Sequence, residues 1–286
     1  MTASDFNIDA LLPAEMAAKA EATGIRKAAM PLTIMFALSM LAGAFIAAGA
    51  FFSTTVVAGA ADALPYGIAR LVGGLAFCLG LIMVIVAGAE LFTGNNLIIM
   101  AWADKKVTTG KLMRNWAIVW VGNFVGAVAT AGLVFASRQY TFGGGAVGAA
   151  ALSAANAKSG LDFFQAIVLG ILCNALVCIA VWLCYSARST TDKILSIIFP
   201  ITAFVAAGFE HSVANMYYIP MGLLVKNFAP ETFWAAIKHV PGEYANLNVF
   251  NMFVNNLIPV TIGNVIGGTV MVGLVYWFAY LRPKRY

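Results

Sequence analysis

Gly88-Ala89-Glu90-Leu91-Phe92-Thr93-Gly94-Asn95 and Gly208-Phe209-Glu210-His211-Ser212-Val213-Ala214-Asn215 carry one pattern, G-x-E-x-x-x-x-N, and each copy lies inside a long apolar run. Each is followed by a G-N-x-x-G segment, Gly122-Asn123-Phe124-Val125-Gly126 and Gly263-Asn264-Val265-Ile266-Gly267. Carboxylates and amides are costly in hydrocarbon. A matched set in corresponding positions therefore argues for a polar route built from a duplicated half.

The surrounding composition fixes the class. Of 286 residues, 62% are hydrophobic and 10% charged, with a mean hydropathy of +0.87. Soluble domains carry about a quarter charged residues, so the chain reads as an integral membrane protein. Met1-Thr2-Ala3-Ser4-Asp5 lacks a basic segment leading into an apolar core, and no cleaved signal peptide is expected. The net charge of +5 fits membrane topology better than nucleic-acid binding, since no basic stripe is interleaved with aromatics. Cys78, Cys173, Cys178 and Cys184 all sit in apolar runs without CxxC spacing. They read as inert fillers, with no metal, disulfide or cofactor expected.

Charge-free stretches place the spans at 28–61, 71–89, 91–103, 115–137, 163–187, 194–209, 211–225 and 244–281. A span needs about 20 residues. Residues 71–103 are broken only by Glu90 and residues 194–225 only by Glu210. As unbroken helices each would be roughly 50 Å long, against an apolar core of about 30 Å. An interruption at each glutamate removes the excess. The expectation is an all-α membrane protein with six transmembrane helices, the second and fifth broken. Three spans per half is odd, so the second half must be inverted. Broken backbone at that depth is tolerated where it lines a cavity, as in transporters and channels. The expected layout is one channel domain over 1–286: an N-terminal helix in 1–28, a first repeat in 29–137 and an inverted repeat in 161–281.

Twelve Lys and Arg residues flank the spans on one side (Lys19, Arg26, Lys27, Lys105, Lys106, Lys111, Arg114, Arg188, Lys193, Arg282, Lys284, Arg285) and five on the other (Arg70, Arg138, Lys158, Lys226, Lys238). The positive-inside rule puts both termini in the cytoplasm. Asn7 to Lys27 read as an amphipathic helix, either a surface anchor or a plug over the inner mouth. The Gly-rich run between Thr141 and Gly148 reads as a flexible outer loop.

His211 lies inside the membrane beside Glu210. It is either a neutral histidine bonded to a carbonyl or a pore-facing proton donor and anion contact. Thr93, Asn95, Asn174, Asn215 and Asn264 are short polar groups at depth. Their hydroxyls and amides suit an anion losing its water, although the same groups serve as interhelical bonds worth about 0.6–2 kcal/mol. Thr93, lying in a break, reads as pore-facing, and Asn123 as packing. Phe77, Leu81, Leu91, Phe204 and Phe209 flank the breaks, as core or as constrictions that exclude water. Lys158, ahead of the fourth span, either raises anion concentration at the outer mouth or is an ordinary interfacial lysine. His239 is assigned no role.

Glu90-Leu91-Phe92-Thr93, Phe209 to Met216 and Asn256 to Asn264 resemble the formate/nitrite transporter family, and the likeness runs from Leu11 to Tyr280. The resemblance implies an aquaporin-like protomer in a homopentamer of the bacterial inner membrane, with a pore in each subunit. It also implies Thr93 as a gate residue, His211 as the central histidine, Lys158 in the outer vestibule, and Asn174 and Asn264 near the path. Leu81, Leu91 and Phe204 match an inner constriction, and Phe77 and Phe209 an outer one. The function expected is bidirectional passage of formate and similar small monovalent anions, with Glu210 in the substrate pathway. Nitrite or hydrosulfide is the alternative cargo. An intramembrane enzyme is disfavoured because no Ser–His or HExxH pairing is present.

Overall fold

The computed structural model describes residues 10–60 and 63–282, and every element in them is helical. The start of the expected N-terminal helix at Asn7, the first five residues, Lys284 and Arg285 lie outside the described residues. A first helix, α1, covers Pro13–Ala28, with proline at its first turn. The spans α2 (Leu32–Val57) and α3 (Tyr66–Ala87) each start directly after a proline, whose fixed φ suits a helix entrance. Further along come α4 (Ile99–Ala103), α5 (Thr109–Ala136), α6 (Ala146–Ser159), α7 (Phe163–Ser186) and α8 (Thr190–Ala207). Thr108, Asp162 and Ser189 cap α5, α7 and α8 by accepting bonds from first-turn amides. The chain ends in α9 (Ser212–Phe228), the short α10 (Glu231–Ile237) and α11 (Val249–Leu281). Six helices, α2, α3, α5, α7, α8 and α11, are long and apolar enough to cross a membrane.

Both overlong runs are interrupted. After α3 the backbone turns at Gly88 (φ +83°), leaves helix through Thr93, and resumes as a 3-10 turn, Gly94–Ile98, leading into α4. After α8 it turns at Gly208 (φ +78°) and resumes at Ser212 as α9. Both glycines take the left-handed conformation that ends a helix without a Cβ penalty.

In the first half α2 packs on α3 and α5; in the second α7 packs on α8 and α11; α3 against α8 and α5 against α9 join the halves. The G-N-x-x-G segments sit where backbones touch. A Cβ on Gly126 would lie 1.9 Å from the Met40 carbonyl oxygen, and one on Gly267 2.2 Å from that of Ile171. The outer loop is shorter than the sequence suggested, because Ala146–Gly148 already belong to α6 and only Gly143–Gly145 form a positive-φ turn.

The helix α1 lies against the protein. Met16, Ala17, Ala20, Gly24 and Ala28 are buried, packing toward Ile98, Met100, Ala101, Trp182 and the end of α11. Lys19 donates to the Tyr185 carbonyl, and Glu21 pairs with Lys106. These bonds gather α1, the α4–α5 loop and the end of α7 on one face.

Candidate functional site

Each glutamate of the repeated motif sits in a cluster with one lysine and two asparagines. Lys27 Nζ lies 2.7 Å from Glu90 Oε1, Asn95 Nδ2 donates to Glu90 Oε2 (2.7 Å) and to Asn115 Oδ1 (3.0 Å), and Asn115 Nδ2 donates to the Lys27 carbonyl (3.1 Å). The other half repeats every one of these bonds. Lys158 Nζ lies 2.7 Å from Glu210 Oε1, Asn215 Nδ2 donates to Glu210 Oε2 (2.6 Å) and Asn256 Oδ1 (2.7 Å), and Asn256 Nδ2 donates to the Lys158 carbonyl (3.0 Å). The matching reaches beyond the expected repeat boundaries at 29 and 161, because Lys27 closes α1 and Lys158 closes α6. The glutamates are 6% exposed and the lysines 25% and 20%. Each carboxylate is thus neutralised and hydrogen-bonded before it is buried, the condition under which buried charge is tolerated.

The asparagines of G-N-x-x-G hold the broken backbone. Asn123 donates to the carbonyls of Ser39 (2.7 Å) and Glu90 (2.9 Å) and accepts from the Phe92 amide (2.9 Å). Asn264 donates to the carbonyls of Gly170 (2.8 Å) and Glu210 (2.9 Å) and accepts from the Ser212 amide (2.9 Å). The Glu90 and Glu210 carbonyls and the Phe92 and Ser212 amides are backbone groups that helix termination orphans, whereas the Ser39 and Gly170 carbonyls belong to the neighbouring helices α2 and α7. Asn174 donates to the Asn264 carbonyl (2.6 Å), Asn96 Oδ1 (2.7 Å) and the Thr93 carbonyl (3.3 Å), tying one break to the support of the other. Asn174 and Asn264 thus have their amide nitrogens committed to protein acceptors.

Between the breaks, His211 Nε2 lies 2.9 Å from Thr93 Oγ1, and both residues are buried. His211 is the N-cap of α9, and its Nδ1 accepts the Ala214 amide at 3.1 Å. A nitrogen that accepts an N–H carries no proton, so the neutral ring is protonated on Nε2 and donates to Thr93. The Thr93 hydroxyl proton is then available to a further acceptor. The N-terminus of α9 adds partial positive charge here. The Phe204 ring stacks on the imidazole with centroids 5.9 Å apart and meets Phe77 edge-on at 5.6 Å. Phe209 is only half-buried, packed on the core beside its turn.

On the α1 side, a cavity of about 430 Å³ reaches Leu81 and Leu91, with Lys27 and Glu90 in its wall. Leu81 and Leu91 are themselves buried and contribute an apolar part of its wall. On the other side, Lys158 Nζ stands 5.4 Å from the centre of the Tyr218 ring as well as on Glu210.

Lys27, Asn115 and Asn256 belong to this site without having been singled out in the sequence. The signal was present: Asn115 and Asn256 each precede the asparagine of G-N-x-x-G by eight positions, and each lysine closes an alanine-rich helix ahead of a span.

Comparison with known proteins agrees with this architecture. The formate/nitrite transporter family profile matches residues 14–278. The chain is 45% identical over 281 residues to the formate channel FocA of Escherichia coli (strain K12), covering 98% of each protein. It is 43% identical over 265 residues to the formate channel FocA of Haemophilus influenzae, covering 93% of each. A solved pentameric formate channel with formate bound superposes with a TM-score of 0.83 at 46% identity, covering 88% of this chain and 98% of that one. With nearly its whole length matched, the chain belongs to the formate/nitrite transporter family.

Proposed function

We propose that this protein is a passive, pH-sensitive channel for formate and related small monovalent anions, conducting through a separate pore in each subunit of a homopentamer. It catalyses no reaction. It lies in the bacterial cytoplasmic membrane with α1 and both termini on the cytoplasmic side. The observation that carries this reading is the bond from His211 to Thr93, which joins two helix breaks inside the membrane.

An anion at the midplane faces a solvation penalty far above thermal energy unless hydrogen-bond donors replace its water. Thr93 supplies one donor, polarised by the imidazole behind it, and the α9 terminus adds favourable potential. Leu81 and Leu91 form an apolar slit that strips water and turns back hydrated ions. Proton delivery from the neutral ring is unfavourable, because it would leave an imidazolate. Acidification opens a second route: a proton taken up at Nδ1 displaces the Ala214 amide, and the imidazolium can then protonate formate. The pH response arises from the competition between that proton and the helix cap.

The test is formate flux in liposomes containing wild-type protein, His211→Phe or Thr93→Ala, followed against pH. Flux and pH response that survive in the histidine variant would remove it from the mechanism. Competition by nitrite and hydrosulfide separates the cargoes.

A further inference from the structure

The cavity on the α1 side carries more positive charge than conduction requires. Of its cationic wall residues, Lys27 is taken up by Glu90, whereas Lys19, Arg26 and Lys193 have no carboxylate within ion-pair range among the described residues. Lys19 spends one proton on the Tyr185 carbonyl, and among the described residues Arg26 hydrogen-bonds only Thr23 of its own helix. The Lys19 ammonium is held below its ordinary pKa by partial burial and then by the like charges of Lys193 and Arg188. The cluster therefore repels itself in the absence of an anion.

The duplication shows which charges belong to the pore. The alignment that pairs Lys27 with Lys158 pairs Lys19 with Ala150 and Arg26 with Ala157; the one that pairs Glu90 with Glu210 pairs Lys193 with Gly73. The lysine on the glutamate is kept in both halves, and the three extra cations occur in one mouth only. The nearby cation of the other mouth, Arg70, is spent on the carbonyls of Val205 and Ala206 at the end of α8.

We infer that this cavity binds a multivalent oxyanion of the phosphate class on Lys19, Arg26 and Lys193, ahead of the Leu81–Leu91 slit, and that the bound anion blocks the route for small anions. A monovalent carboxylate needs one such cation at a time, whereas three cations lining one cavity match several negative oxygens on one ligand. A volume of about 430 Å³ holds many waters at about 30 Å³ each, so a phosphate group has ample room. The apolar slit admits no multivalent ion, and the ligand halts where it binds. This inference rests on the proposal that the flux passes through this mouth.

The test uses the full chain and pyrophosphate as probe. Calorimetry on detergent-solubilised protein, without formate, is expected to show saturable binding, weakened at least tenfold in Lys19→Gln/Lys193→Gln. In phosphatidylcholine vesicles pyrophosphate is expected to slow formate flux, with its inhibition constant rising by the same factor in that variant. Should the double variant not assemble, Arg26→Gln supplies the comparison. Slow flux in phosphatidic acid vesicles, with no further effect of pyrophosphate, identifies a lipid headgroup as the source; block by pyrophosphate in both lipids identifies a soluble ligand. Formate flux without pyrophosphate binding, or binding indifferent to the substitutions, overturns the inference. Binding without formate conduction overturns the substrate reading and leaves the anion site standing.

Discussion

His211 Nε2 lies 2.9 Å from Thr93 Oγ1, and this bond has no counterpart in the duplication. The alignment that places Glu90 on Glu210 places Leu91 on His211 and Thr93 on Val213. Around these positions the halves share every bond of the lysine–glutamate–asparagine clusters described above. The Thr93–His211 pair is therefore asymmetric chemistry set into a symmetric frame, with one half contributing the hydroxyl and the other the imidazole.

Substitution at this pair separates its roles. His211→Asn retains an N-cap acceptor for α9 but loses the titratable ring, so the protein should keep its stability while formate flux loses its pH dependence. His211→Phe removes the cap as well and should cost about 1 kcal/mol of stability. Thr93→Ser should retain most of the flux and Thr93→Val should lose at least tenfold. Stopped-flow uptake into liposomes across pH 5 to 8, with thermal unfolding of each variant, checks all four.

Asn123 and Asn264 make a test of the frame itself. Replacing either by alanine orphans one carbonyl and one amide at the break, at about 1–3 kcal/mol for each buried group. Interhelical bonds in membranes measure nearer 0.6 kcal/mol on average, so a total of about 2–4 kcal/mol is expected. The two losses should agree within about 0.5 kcal/mol because the geometry is duplicated. Flux per folded protein should fall further in Asn264→Ala, since that side chain holds the break bearing His211. Unfolding in a graded denaturing detergent reads the first quantity and liposome flux the second.

The contrast between what the sequence carried and what it concealed follows from distance. Glu90 and Glu210 stood out because a carboxylate in an apolar run is rare and expensive, and the run lengths alone demanded a break there. Lys27 did not stand out, because it closes an amphipathic helix among other cations and its partner lies 63 residues away. Asn174 and Asn264 were legible as polar groups at depth. Their commitment to backbone carbonyls was not, since a side chain's direction around a helix of close-packed glycines depends on packing with other spans. Which lysine pairs with which glutamate is likewise a tertiary fact.

The docking of α1 carries its own pH signature. Lys106 Nζ lies 2.6 Å from Glu21 and 3.0 Å from Asp104. Lys106 holds the Asp104 carboxyl below its ordinary value, and Glu21 and then Asp104 raise that of Lys106. A lowered acid contributes stability above its unfolded pKa and loses it as pH falls through the folded one. A raised base contributes below its unfolded pKa and loses it as pH rises through the folded one. Protection of the α1 amides should therefore be flat from about pH 5 to about pH 10 and fall at both extremes. Lys106→Gln should lower the plateau by about 1 kcal/mol or less, the range of exposed pairs, and remove the alkaline fall. Hydrogen exchange of residues 13–28 measures both.

The two glutamate clusters differ in two bonds, Lys27 Nζ to Asn95 Oδ1 in the first and Asn256 Nδ2 to Glu210 Oε2 (3.2 Å) in the second, and the difference predicts unequal responses to the same substitution. Lys27 Nζ also donates to Asn95 Oδ1 at 3.0 Å, whereas among the described residues Asn215 Oδ1 is buried without a partner and Lys158 Nζ has only the Tyr218 ring besides Glu210. Breaking a buried ion pair costs about 3–5 kcal/mol because the survivor is left uncompensated. Here each lysine retains some exposure, so about 1–3 kcal/mol is expected. Glu90→Gln should fall at the low end, since Lys27 keeps its asparagine, and Glu210→Gln at the high end. In Glu210→Gln the unpaired Lys158 should attract anions into the outer mouth and hold them. Half-saturation for formate should then drop while the maximal rate also drops, because tighter ground-state binding without a lower barrier slows release. Lys158→Met/Glu210→Gln should recover most of the stability and reverse the fall in half-saturation. Concentration-dependent uptake by the two single variants and the double variant decides this. Equal effects at Glu90 and Glu210 would mean that the Lys27–Asn95 bond carries no weight.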